Sequence, residues 1–103
     1  MAFTTGIPGE RVEKIMSFTR PEFENGLRRL TGGRLLSNGD GYDLSQAAGA
    51  PVRCTFEPQP DAQLSPLMRL PRARVVLDMT GLDDAARIAF LRRFETTFQR
   101  GGG

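Results

Sequence analysis

Apolar and polar residues alternate most clearly in two segments. Val52, Cys54 and Phe56 alternate with Arg53, Thr55 and Glu57, the two-residue period of a half-buried strand. The pattern returns from Arg72, with Ala73, Val75, Leu77 and Met79 on one face and Arg72, Arg74, Val76 and Asp78 on the other. Between Arg11 and Phe18 two periods compete. Val12, Ile15 and Met16 suit a helical turn, while Val12, Met16 and Phe18 suit one face of a strand, the preferred reading.

Two helices are bounded by their own signals. Thr19-Arg20-Pro21-Glu22 is a capping box, with Phe18 before it and Phe23 placed for a hydrophobic staple. Phe23, Leu27 and Leu30 recur on one face until Gly32 and Gly33 stop the helix. The second helix opens at Asp83 and Asp84, where the dipole favours acid, and runs to about Gln99. Phe90, Leu91, Phe94 and Phe98 cover one broad arc of it and must face a core.

Asn38-Gly39 predicts a tight hairpin between strands at about 34–37 and 41–46, followed by a turn at 47–51. Pro58, Pro60, Pro66 and Pro71 predict a loop over 58–71, long enough to suggest a functional role. The resulting order is strand, helix, four strands and helix. It predicts an α+β two-layer sandwich, a four- or five-stranded antiparallel meander with two helices on one face. Residues 1–10 read as a flexible lead-in, 11–100 as one domain and 101–103 as a glycine tail; 103 residues hold one core.

Composition narrows the chemistry. There is no His and one Cys, so a serine or cysteine nucleophile has no His base, and a metal site of ordinary ligand set is not expected. No glycine-rich phosphate loop or nucleotide fingerprint is present, and no cofactor is expected. An enzyme is therefore the least supported class. Asp40 with Asp43, and Asp83 with Asp84, read as turn and helix-start chemistry, and Cys54 as a small core residue. The pI of about 9.3 exaggerates a net charge of only +2, from 14 basic and 12 acidic residues. A lone cysteine, no leader pattern and no long apolar run point to a cytoplasmic protein without a membrane segment.

Candidate contact residues fall in three places. Leu64, Leu67, Met68, Arg69 and Leu70 lie within the proline-bounded loop, where the apolar members either cap the core, the preferred reading, or meet a partner. Leu67 and Met68 are adjacent, so one of them is expected outside the core. Arg72 and Arg74 lie on the outward strand face, where a solvated charged surface is the simplest reading and an anion site the alternative. Arg87 falls inside the apolar arc of the last helix, so it should find a local carboxylate such as Asp83 or Asp84, or else clamp an anion.

The stretch Leu70-Pro71-Arg72-Ala73-Arg74-Val75, with Phe90, Phe94, Phe98, Gln99, Arg100 and three glycines, resembles small uncharacterised bacterial proteins sharing this C-terminal third. That resemblance implies no activity. The element order resembles the TATA-binding-protein-like architecture, an analogy of fold that carries no function. Gly101 to Gly103 resembles the tail of ubiquitin-like sulfur carriers, which would imply activation of the last glycine; a helix cap is the simpler account. The expectation is a non-catalytic binding or interaction module with a protein partner or self-association. Nucleic-acid or other anion binding through arginines on the sheet face and on the last helix, where Arg92, Arg93 and Arg100 lie, is the alternative, a glycine-activated carrier the second.

Overall fold

The computed structural model describes residues 9–38 and 41–101, without the side chains of Asn38 and Arg100. In chain order the elements are β1 (Arg11–Met16), α1 (Arg20–Leu30), β2 (Leu36–Asn38), β3 (Gly41–Asp43), α2 (Ser45–Ala48), β4 (Arg53–Ser65), β5 (Met68–Asp78) and α3 (Asp84–Gly101). The strands form one open antiparallel sheet in the order β1-β5-β4-β3-β2. With α1 and α3 on one face it is a two-layer α+β sandwich. The expected lead-in lies largely outside the described residues, as do Gly102 and Gly103 of the tail.

The ambiguous first segment is a strand. Val12, Lys14 and Met16 are half-buried while Arg11, Glu13 and Ile15 are exposed, and the strand pairs with β5 from Arg11↔Asp78 to Met16↔Ala73. α1 starts where its capping box requires: Glu22 N–H donates to Thr19 Oγ1 (3.4 Å) and Thr19 N–H to Glu22 Oε1 (2.8 Å). It ends at Gly32 and Gly33, whose φ of 75° and 99° is a left-handed conformation that side chains disfavour.

The Phe arc forms the centre of the core. Phe94 is fully buried, with Phe90 and Phe98 nearly so, and the Phe98 ring meets Phe94 (4.7 Å between centroids), Phe23 (5.1 Å) and Phe18 (5.4 Å). Phe18 and Phe23, the expected staple pair, are thus joined through Phe98. Gly26 lets α1 approach this ring. A Cβ at position 26 would lie 2.7 Å from Phe98 Cζ and closer still to Cε1.

Three expectations need correction. The sheet register pairs Asn38 with Gly41, so Asn38 is a strand residue and not the first residue of the turn as predicted; Gly39 and Asp40 lie outside the described residues. β3 stops at Asp43 rather than reaching Gln46, because Asp43 Oδ1 accepts from Ser45 N–H (2.9 Å) and from the Ser45 hydroxyl. That turn opens α2, a third helix that was not expected.

The third correction concerns residues 58–71, which continue β4 and β5 as a hairpin instead of forming a loop. β3 covers β4 only at Arg53–Thr55, and β1 covers β5 only from Ala73 onward, so the hairpin runs past both neighbours as a two-stranded arm. Its prolines stand where no N–H is needed. Val52 O accepts from Leu44 N–H (2.9 Å) and Phe56 O from the Arg20 guanidinium (3.3 Å), so alternate residues of β4, Pro58 included, turn their backbone groups to the open edge. Met79 N–H donates to Glu10 O (2.6 Å), and the same alternation carries Pro71 to the open edge of β5. Pro60 sits in the irregularity between Gln59 and Ala62, and Pro66 in the turn at the tip.

Candidate functional site

The arm gathers four of the six predicted contact residues. Leu67 occupies its tip at 98% exposure, Met68 is 53% exposed beside it, and Leu64 and Leu70 are 60% and 39% exposed. The reading of this segment as a cap on the core is therefore corrected: Leu67 and Met68 both lie outside it. Register places Met68, Leu70 and the opposed Ala62 on the side of the arm that continues the helix-free sheet face. Arg72 stands on this side at the base and Arg69 on the other, while Asp61 is exposed on the β4 strand. Among the described residues none of these three charges makes an ion pair.

Arg74 and Arg87 do not join this group. Arg74 lies where the arm meets the sheet, held between Glu13 of β1 and Glu57 of β4, the latter at 3.5 Å. Two carboxylates offset its charge, so the outward strand face is internally paired around it. Arg87 sits in the first turn of α3 at the edge of the core, bonded to the Leu82 carbonyl (3.0 Å) and the Asp84 carboxylate. Asp83 Oδ1 accepts from Ala86 N–H (2.8 Å), so both acids of that pair serve the helix start.

Two further features had no clear sequence signal. Arg20 donates to the Tyr42 hydroxyl (2.9 Å), lies 4.9 Å from the Phe56 ring centre, and is linked through Tyr42 to Glu24 (2.8 Å). Burial first, then the bond to Glu24, raise the Tyr42 pKa above its ordinary value of 10.0. Arg93 donates to the Ala47 carbonyl (2.8 Å) and reaches the Leu30 carbonyl (3.5 Å), so it serves the C-terminal ends of two helices. Only the fold reveals such roles, because the partners are carbonyls distant in sequence.

An open cleft of about 640 Å³ lies between β1 and α3, lined by Met16, Phe18, Phe94 and Phe98 and bordered by the Lys14–Glu95 ion pair (2.6 Å). A second, of about 540 Å³, runs between α1 and α3 past Arg29, Arg92 and Arg93. Cys54 is buried, and desolvation pushes its thiol pKa up to about 12, so it is a core group without thiolate character at neutral pH. No described helix is long and apolar enough to cross a membrane. Comparison with family models, with curated proteins and with solved structures finds no match to the chain.

Proposed function

We propose that the protein is a non-catalytic interaction module that meets a protein partner through the β4–β5 arm. The supporting observation is the concentration of exposed apolar side chains at Leu64, Leu67, Met68 and Leu70, on a hairpin that no other part of the described chain covers. Such a patch is costly to leave in water and is ordinarily a contact surface. The anion reading loses Arg74 and Arg87 to internal partners and Arg93 to two carbonyls, which leaves Arg69, Arg72 and Arg92 without an ion pair among the described residues. A reducing, cytoplasmic setting belongs to this proposal and agrees with a single buried thiol.

The test is affinity capture with cross-linking from bacterial lysate, with and without nuclease treatment, using the unaltered chain and Leu67→Glu and Met68→Glu variants as bait. Protein cross-links that map to the arm and disappear in the variants support the reading. Captured proteins that nuclease alone releases would favour nucleic acid, and cross-links unaffected by both variants would place the partner surface elsewhere.

A further inference from the structure

The β1 edge of the sheet carries a charge pattern complementary to itself. β1 ends the strand order, and no group of the described chain bonds its outer backbone. The ladder to β5 decides which groups those are. Met79 N–H donates to Glu10 O (2.6 Å), so Glu10, Val12, Lys14 and Met16 turn their backbone groups to β5, while Arg11, Glu13 and Ile15 turn theirs outward. Unlike the arm, β1 has no proline, and an unblocked edge is a template for another strand. The far edge of the sheet, β2, is only three residues long.

A second β1 can pair antiparallel with this edge only where outward-turned residues of one copy oppose outward-turned residues of the other. Centred on Arg11, Glu13 or Lys14, such a register sets a charge against its own copy; centred on Ile15, it sets Lys14 against Met16. Centred on Val12, it opposes Arg11 to Glu13 and Glu10 to Lys14, twice each, with Val12 against Val12 on the axis. A two-fold axis perpendicular to the sheet keeps the helix-free faces of both copies together, so Arg11 and Glu13 meet on one side. Arg11 is exposed, makes no ion pair among the described residues and stands opposite Asp78, so Glu13 of the second copy gives it an acid on either side. Glu13 likewise comes between Arg74 of its own chain and the copy's Arg11.

We infer that two copies of this chain join edge to edge through β1, about a two-fold axis at Val12, and continue the sheet across both. This goes beyond the arm reading and does not depend on it. The full chain is measured by light scattering and sedimentation equilibrium across a range of concentrations. A dimer is expected, weakened about tenfold by Arg11→Glu alone and by Glu13→Arg alone, since each sets like charges opposite one another twice. An equimolar mixture of the two variants restores the dimer mass, because acid then opposes base at both positions. Hydrogen exchange on the unaltered chain gives a second reading: the Arg11 and Glu13 amides are protected in the dimer and exchange freely on dilution, whereas Val12 and Lys14, bonded to β5, stay protected.

Should a charge reversal fail to fold, the exchange reading decides the question. A chain monomeric at every concentration, a dimer indifferent to both reversals, a mixture that does not restore association, or Arg11 and Glu13 amides indifferent to concentration overturns the inference. A dimer lost in Leu67→Glu or Met68→Glu but kept in the reversals also overturns it, by placing the second copy on the arm. If the dimer behaves as expected while no protein cross-links map to the arm, the arm reading alone fails.

Discussion

Gly26→Ala sets two effects of opposite sign against each other where α1 meets α3. In an exposed helix the change would stabilise by about 0.8 to 1 kcal/mol, because alanine has less backbone freedom to lose. Here the added Cβ lies 2.7 Å from Phe98 Cζ, inside any real carbon contact. Phe98 cannot swing away freely, since its ring is stacked on Phe23 at 5.1 Å and wedged by Phe94 and Phe18 at 4.7 and 5.4 Å. Overpacking a core commonly costs about 1 to 3 kcal/mol, and a methyl pressed against a confined ring belongs at the upper end. The net expectation is a loss of about 1 to 2 kcal/mol, or roughly 4 to 16 °C in melting temperature for a domain of this size. Urea melts with an unchanged m-value measure it. Phe98→Leu supplies the internal control, because a smaller side chain makes room and Gly26→Ala should be neutral or stabilising in that background. Equal effects in both backgrounds, or stabilisation in the unaltered chain, would refute a close approach of the helices.

Two other expectations follow from caps and burial. Thr19→Ala removes the acceptor for Glu22 N–H and should cost about 1 kcal/mol, with Glu22→Ala smaller and the pair non-additive; additive melts would dissolve the reciprocal box. The Cys54 thiol is held protonated, with its folded pKa at about 12 against 9.0, so its contribution is fully present below about pH 9. It is lost as pH rises through that window, at about 1.4 kcal/mol per pH unit. Tyr42 acts with the same sign, and Cys54→Ala isolates the thiol. Urea melts from about pH 8 to about pH 11 should fall less steeply in that variant, and identical slopes would show that burial does not govern the thiol.

Local signals were legible in the sequence, and signals that depend on distant neighbours were not. The capping box at Thr19, the glycine stop after Leu30, the alternation through Val52–Glu57 and Ala73–Met79, and the Phe arc of α3 each declare themselves within a few residues, and all are present in the fold. The arm was misread as a loop because proline argues against a central strand, whereas Pro58 and Pro71 stand on edges that only the sheet order creates. The β2–β3 register pairs Asn38 with Gly41 instead of leaving Asn38 in the turn, and β3 is anchored at its far end by the Asp43–Ser45 turn and by pairing of Tyr42 with Cys54. Those long-range constraints outweigh the local preference of Asn38-Gly39. Arginine was the least legible residue, since a side chain that stays charged must find a carboxylate, a carbonyl or water. Arg74, Arg93 and Arg72 illustrate the three fates, with sequence contexts that do not distinguish them.

The same prolines explain how an apolar arm can be compatible with a well-behaved protein. An exposed hairpin with free edges invites strand addition, and head-to-tail addition of that kind does not close, so it leads to fibres. Blocking both edges while leaving one side apolar changes which modes of association remain. A partner that reaches the arm must then approach its side rather than its edges. The bulges at Gln59/Ala62 and Gln63/Ser65 act in the same direction, because each adds local twist and spoils the flat register that edge pairing requires. The arm therefore combines an apolar side with protected edges, a combination that disfavours strand-by-strand growth.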